Sequence, residues 1–157
     1  GCAEVIVADL MQEKLDIAAR YSGIVPVNIR HEALVDAVNR ISDGWGADVV
    51  FEASGSPKAF EGLMQLPRPG GRCVLVGMPV DPVPFDVSAA AVREISFATV
   101  FRYAHQYPRA IAMFGSGKVN LKPLVTETFS FGQSIDAFRR AAEARPADVK
   151  LQIRMAD

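Results

Sequence analysis

Short apolar strands that alternate with amphipathic helices constrain this chain more than any other feature. The run Ala3–Asp9 is rich in β-branched residues and ends on a carboxylate, which predicts a buried strand. The next segment, Gln12–Tyr21, carries apolar residues at helical spacing and is followed by a Ser-Gly stop. Further strands are predicted at Ile24–Val27, Ala47–Glu52, Arg72–Val76 and Ile95–Val100, with helices at His31–Ile41 and from Ser56 to Leu66.

Strands that are joined by helices indicate crossover connections, so we predict an α/β fold with a doubly wound parallel (Rossmann) sheet. The pattern changes after Phe101, and the last alternating stretch predicts a half-buried antiparallel strand. We therefore divide the chain into a nucleotide-binding domain, residues 1–100, and part of a second domain, residues 101–157. The elements predicted in this second part are a helix at His105–Phe114, a strand at Val125–Ser130, a helix opened by a Ser130–Gln133 capping box, and a strand at Val149–Arg154.

Composition excludes several classes of partner. The 17 lysines and arginines nearly balance the 18 aspartates and glutamates, so no basic field would hold a nucleic acid or an anionic membrane. Apolar runs are far shorter than the roughly 20 residues of a membrane span, and no secretory signal is visible, so we expect a soluble, cytoplasmic protein. Cys2, Cys73, His31 and His105 show no close paired spacing, which favours reduced thiols and no zinc site.

One strand-end carboxylate points to a nucleotide. In a doubly wound nucleotide-binding sheet, a glycine-rich turn follows the first strand, and an acid ends the second strand about 20 residues later. Asp9 fits that acid, which accepts hydrogen bonds from the adenosine ribose and repels a 2′-phosphate, so NAD is predicted rather than NADP. The alternative is that Asp9 caps the following helix together with Gln12. No G-x-G-x-x-G run occurs in the 157 residues, and we expect that loop upstream of Gly1.

Five segments of the chain together identify a family. They are Val5–Leu10, Gly46–Gly55, Gly70–Met78, Val100–Tyr103 and Val119–Thr126. These segments resemble the medium-chain, zinc-dependent dehydrogenase/reductase family, and the resemblance extends over essentially the whole chain. The last two are typical of its polyol branch, the sorbitol and xylitol dehydrogenases.

The resemblance implies a Rossmann sheet that lacks its first strand and helix, followed by the returning tail of a GroES-like catalytic domain. It further implies an intact enzyme, a dimer or tetramer, that transfers hydride between a sugar alcohol and NAD. Zinc ligands and the glycine-rich loop are expected upstream of this chain, so we assign no metal ligand and no catalytic residue to it. Two alternatives remain: a noncatalytic fragment with weak nucleotide binding, and a methyltransferase, whose sheet also ends its second strand on an acid.

The resemblance also assigns individual residues. Asp9 and Lys14 match positions that reach the adenosine ribose, whereas Arg102 and Tyr103 match positions that face a polyol or ketose substrate. Lys14 has the alternative of a solvated helix residue, Arg102 that of an interdomain salt bridge, and Tyr103 that of packing. Glu52 is expected to have only a structural role. The segments that border the nicotinamide in the family correspond to Val76, Gly77, Met78, Val100 and Phe101, and the alternative for Val76–Met78 is a simple strand-to-loop turn.

Overall fold

The computed structural model describes residues 2–155 as strands and short helices in alternation. The strands are β1 (Val5–Asp9), β2 (Ile24–Asn28), β3 (Ala47–Glu52), β4 (Pro67–Leu75), β5 (Ser96–Thr99), β6 (Val125–Ser130) and β7 (Lys150–Arg154). The helices are α1 (Gln12–Ala18), α2 (Leu34–Ile41), α3 (Pro57–Phe60), α4 (Val87–Val92), α5 (Tyr107–Gly115) and α6 (Ser134–Glu143). Three 3-10 turns lie at Leu63–Gln65, Lys122–Leu124 and Phe131–Gln133.

Every described strand pair is parallel, which confirms the α/β class predicted from the sequence. The sheets have the orders β1-β2, β3-β4-β5 and β6-β7. The antiparallel direction predicted for the last strand is wrong, because β7 runs parallel to β6. Helix α6 connects these two strands and contacts both, so one face of β7 is covered while the other is exposed. A half-covered strand alternates apolar and polar residues whichever direction its partner runs.

The chain divides into two compact units, residues 1–31 with 104–157 and residues 32–103. In the first unit, α1 packs on β1 and β2, and Leu15 and Val27 are buried between them. Phe129 of β6 and Ala137 of α6 are buried in the other crossover of this unit. Each crossover therefore has its own small apolar core.

An ion pair fixes α6 in this first unit. The Arg140 guanidinium donates to both carboxylate oxygens of Asp148, at 2.9 and 3.0 Å, and also contacts Glu127 on β6. The hydrogen bond from Arg140 lowers the pKa of Asp148. Arg140 thus links the helix to β6 and to the turn that precedes β7.

The second unit has its own small apolar core. Cys73 lies fully buried in β4, and burial raises the pKa of its thiol to about 11. The remaining buried apolar residues of this unit are Ala37, Val38, Leu63, Met64, Leu66, Pro67, Ala90 and Ile95. Every helix described in residues 2–155 is too short or too polar to cross a bilayer.

Two helices of the second unit differ from the prediction. The single helix expected from Ser56 to Leu66 ends at Phe60, because Gly62 adopts a left-handed φ of +80° and the chain continues as a 3-10 turn. Helix α4 was not predicted, although Asp86 caps it by accepting a hydrogen bond from the Ala89 N–H at 2.8 Å. In this segment, prolines upstream of the cap obscure the start of the helix.

Candidate functional site

Three strands of the second unit end at the same level. Glu52 of β3 is in register with Leu75 of β4, which is in register with Thr99 of β5. The segments that follow them, residues 53–56, 76–78 and 100–103, therefore leave one edge of the sheet. In open α/β sheets, ligands bind beyond the carboxyl ends of the strands. This strand-end edge is thus the candidate site of the second unit.

Main-chain hydrogen bonds tie these segments to the sheet. The Glu52 carbonyl oxygen accepts from the N–H groups of Val76 and Gly77, both at 2.8 Å. The Val100 N–H donates to the Leu75 carbonyl at 2.9 Å. The first residues of the second and third segments are therefore held by strand ends rather than left as open loops.

The Glu52 side chain holds the first segment. It is 5% exposed, and it is the one buried charged residue among residues 2–155. Its Oε1 accepts from the Ser54 N–H at 2.8 Å, the Ser54 hydroxyl at 2.5 Å and the Gly55 N–H at 3.1 Å. Its Oε2 is 3.2 Å from the same Gly55 nitrogen. The carboxylate thus closes the turn that follows β3.

Two glycines bring the first and second segments into direct contact. Gly55 has a φ of +65°, and a Cβ there would lie 2.9 Å from the Met78 nitrogen and oxygen. A Cβ at Gly77 would lie closer than 3.0 Å to the Gly55 main chain and to the Glu52 carboxylate. Any side chain would separate these backbones, so both positions require glycine.

Most side chains assigned to the nicotinamide and the substrate are accessible. Val76 and Val100 are 44% and 47% exposed, and Phe101 is 72% exposed. The guanidinium carbon of Arg102 lies 4.8 Å from the centre of the Phe101 ring, a cation–π contact. Tyr103 is also exposed. The edge therefore offers a glycine-floored apolar surface beside a stacked guanidinium.

The first unit carries the predicted ribose residues at the end of β1. Asp9 is in register with Asn28, the last residue of β2, and its Oδ1 accepts from the Met11 N–H at 2.8 Å. Met11, not Asp9, occupies the N-cap position of α1. Asp9 therefore does not cap the helix, and its hydrogen bond with Met11 only closes a local turn before it. Oδ2 of the half-buried Asp9 accepts no hydrogen bond from residues 2–155. Lys14 lies half-buried on α1.

The polar side chains near Asp9 form hydrogen bonds with one another rather than with Asp9. The Asn28 amide donates to the Gln12 side-chain oxygen at 3.0 Å, and the Gln12 amide donates to Asp16 at 2.9 Å. Gln12 therefore does not complete a capping box with Asp9. One oxygen of Asp9 is left to accept a hydrogen bond from a ligand.

A zinc centre does not fit the described side chains. Among residues 2–155, no three or more His, Cys, Asp or Glu residues are grouped as metal ligands would be. Zinc binds the thiolate form of cysteine, whereas burial disfavours that form at Cys73. Cys2 is exposed.

The sequence pattern indicates only a structural role for Glu52 and does not connect Gly55 with Gly77. The Glu-x-x-Gly run that starts at Glu52 predicts a tight turn after a strand. That the carboxylate contacts a second segment, more than 20 positions along the chain, becomes visible only in the register of β3 with β4.

Comparison with known proteins places the chain among dehydrogenases. The family whose profile matches residues 1–116 is described as "Zinc-binding dehydrogenase". A curated protein of Agrobacterium fabrum, provisionally named D-xylulose reductase, is 57% identical over 99% of this chain and 44% of its own length. The sorbitol dehydrogenase of Bacillus subtilis is 32% identical over 98% of this chain and 44% of its own length.

A solved structure shares the fold. The crystal structure of an Escherichia coli oxidoreductase/dehydrogenase of unknown specificity matches with a TM-score of 0.91 and 27% identity, covering 100% of this chain and 45% of that one. The chain thus spans about 44% of the length of the curated relatives that it matches.

Proposed function

Because this chain belongs to the zinc-binding dehydrogenase family, we propose that it supplies the NAD-binding part of an enzyme that interconverts a sugar alcohol and its ketose. The observation that carries the proposal is the common level of the ends of β3, β4 and β5. It gathers the segments assigned to nicotinamide and substrate at one edge. Relatives named D-xylulose reductase and sorbitol dehydrogenase support a polyol as the substrate class.

The nicotinamide end of NAD is assigned to the second and third segments. Gly77 has no side chain, so a flat ring can approach the main chain there, while Val76, Met78, Val100 and Phe101 provide apolar surface. When bound, NAD would supply the hydride acceptor. The residues of this chain would orient the ring and exclude water from one of its faces.

The ribose end of NAD is assigned to Asp9 and Lys14. The open Oδ2 of Asp9 would accept a hydrogen bond from a ribose hydroxyl, and its negative charge would repel the 2′-phosphate of NADP. Lys14, on the helix that follows, would reach the same sugar.

The substrate is assigned to Arg102 and Tyr103. A polyol presents several hydroxyls, and a guanidinium fork and a phenol can fix several of them at once. Stacking on Phe101 restricts the Arg102 guanidinium, which lowers the entropy lost when it binds the substrate. No step at a metal is assigned to this chain, since its described residues do not fit a zinc centre. We also propose that the full-length enzyme is a cytoplasmic dimer or tetramer.

Kinetics of the full-length enzyme that contains this chain test the proposal. We expect NADH to bind with enhanced fluorescence, and xylitol or sorbitol to be oxidised with NAD in preference to NADP. Absence of NADH binding, or binding without turnover of any sugar alcohol, would contradict the proposed function. Equal use of NAD and NADP would contradict only the role proposed for Asp9 and would leave the rest of the proposed function in place.

A further inference from the structure

The carboxylate of Glu52 is buried at the end of β3, where loss of hydration disfavours a charge. Removing a charge from water is unfavourable unless hydrogen bonds replace the lost hydration, and an apolar residue at the end of β3 would avoid that cost. The carboxylate nevertheless lies 5% exposed and accepts from both N–H groups of the Ser54–Gly55 turn. Its contacts therefore indicate what it does there.

We infer that Glu52 is a positioning residue for the cofactor pocket, which sets the place of the Gly77–Met78 main chain under the nicotinamide. The inference rests on the proposed function, since that function assigns Val76–Met78 to the cofactor. No role in bond making or breaking is assigned to Glu52, because it acts through the main chain of other residues.

Glu52 contacts both sides of the joint between the two segments. Its side chain holds the Ser54–Gly55 turn, and its carbonyl oxygen holds the N–H groups of Val76 and Gly77. Both sets of hydrogen bonds therefore involve Glu52, the last residue of β3. A change in the carboxylate therefore moves the turn relative to the segment that the carbonyl keeps in place.

The Gly55–Met78 contact transmits such a movement. Gly55 lies against the Met78 main chain with no side chain between them, and Gly77 lies against Gly55 and Glu52 in the same way. Side chains can change rotamer to absorb a displacement, but two touching main chains cannot. A displaced turn would shift the floor of the nicotinamide surface, and hydride transfer is sensitive to displacements of about 1 Å.

Glu52→Gln in the full-length enzyme tests the inference. The amide keeps the size of the carboxylate but replaces one acceptor oxygen by a donor, which must face the Gly55 N–H or Gly77. We expect kcat/KM for NAD to fall roughly 10-fold to 100-fold, and the NADH dissociation constant to rise roughly 10-fold. The deuterium isotope effect on kcat with labelled xylitol should increase, because hydride transfer becomes slower relative to product release.

Glu61→Gln is the matched control. Glu61 is exposed in the same unit, and the substitution makes the same change of charge and shape. We expect its NADH affinity and kcat/KM to equal those of the unsubstituted enzyme. Assays are run well below the unfolding midpoint of each variant, so that a loss of stability alone leaves the kinetic constants unchanged.

Ser54→Ala provides a second, milder test that decides the matter if Glu52→Gln fails to fold. It removes the hydroxyl that donates to Glu52 Oε1 at 2.5 Å and keeps both N–H donors. A rise of roughly 3-fold in the NADH dissociation constant is expected. Unchanged affinity and isotope effect in the folded variants would overturn the role of Glu52. An unsubstituted enzyme that does not bind NADH would instead overturn the proposed function, and this inference with it.

Discussion

Strands β1 and β3 both end on a carboxylate, yet the two acids have opposite surroundings. Asp9 is half-buried and accepts from one N–H group, so one of its oxygens stays available. Glu52 is buried and accepts from two N–H groups and a hydroxyl. An acid at the end of a strand therefore does not by itself indicate a ligand site. The donors that the following turn supplies separate a residue open to ligands from one that holds a loop.

The difference follows from side-chain length and from the turn that comes next. The aspartate reaches only the N–H two positions ahead, that of Met11. The glutamate is one methylene longer and folds over a turn that ends on a positive-φ glycine, where two N–H groups point at it. We therefore expect substitutions at β1 to affect binding, and substitutions at β3 to affect both structure and binding.

The largest expected effect is the difference in stability between alanine variants of Glu52 and Asp9. Glu52→Ala should lower the free energy of unfolding by about 3 kcal/mol, because it leaves the N–H groups of Ser54 and Gly55 unpaired. Asp9→Ala should lower it by less than about 1 kcal/mol, since only one hydrogen bond to the Asp9 side chain is lost. Urea unfolding of the full-length enzyme, followed by circular dichroism, measures both. Equal losses would show that burial does not distinguish the two strand ends.

A second prediction approaches the β3 joint from the other side. Gly77→Ala should lower the free energy of unfolding by about 2 kcal/mol, because its Cβ overlaps the Gly55 main chain and the Glu52 carboxylate. Gly115→Ala is the control, since a Cβ at that helix end would meet no atom within 4 Å beyond its chain neighbours and the main chain of its own helix. Thermal unfolding compares the two. A midpoint for Gly77→Ala that matches the control would mean that the two segments are not in contact.

The third prediction sharpens the β1 side. Asp9→Asn keeps an oxygen for the Met11 N–H but removes the charge, so NADH binding should weaken by about 1.5 kcal/mol while the unfolding midpoint stays unchanged. The preference for NAD over NADP should also narrow. Fluorescence titration with both cofactors measures these effects, with Asp16→Asn on helix α1 as the control. Unaltered affinity would leave Asp9 only its contact with Met11.

The smallest expected effect concerns the end of β5. Arg102→Ala should raise KM for the polyol roughly 5-fold, which corresponds to a loss of about 1 kcal/mol in the free energy of polyol binding. The affinity for NAD should change little. Arg102→Lys should restore little, because an ammonium neither stacks on Phe101 in the same way nor offers a planar fork. Steady-state kinetics in both substrates separate the effects. A parallel loss of NAD affinity would assign Arg102 to the cofactor instead.

Much of the fold could be predicted from local patterns. The β-branched runs give β1, β2, β3 and β6 within about two residues at each end, and the Ser130–Gln133 capping box forms as expected. The resemblance to the medium-chain dehydrogenases is confirmed by the family match. These features depend on residues that are neighbours in sequence, so the sequence contains what determines them.

Features that depend on distant segments were predicted less well. The direction of β7 is set by α6, which crosses between β6 and β7, and alternation along the strand contains no information about it. The end of α3 depends on Gly62, whose left-handed φ breaks an otherwise helical pattern. Local periodicity identifies elements but not their partners.

The candidate site divides in the same way. The residues assigned by resemblance lie at or just beyond strand ends, except Lys14, which lies on α1, and their roles in binding remain predictions. The role inferred for Glu52 requires the alignment of β3 with β4, which places Gly77 beside a turn more than 20 positions earlier in the chain. No pattern within either segment indicates that contact.

The contact between Gly55 and Gly77 has a consequence for how such a chain can evolve. Neither glycine can gain a side chain while the other segment keeps its place, so selection acts on the two positions as a single unit. Neighbouring Val76 and Met78 point outward and are free of that constraint. Descendants that acquire new substrates would therefore change side chains without that constraint, such as Arg102 and Tyr103 beyond β5, and the paired glycines would persist.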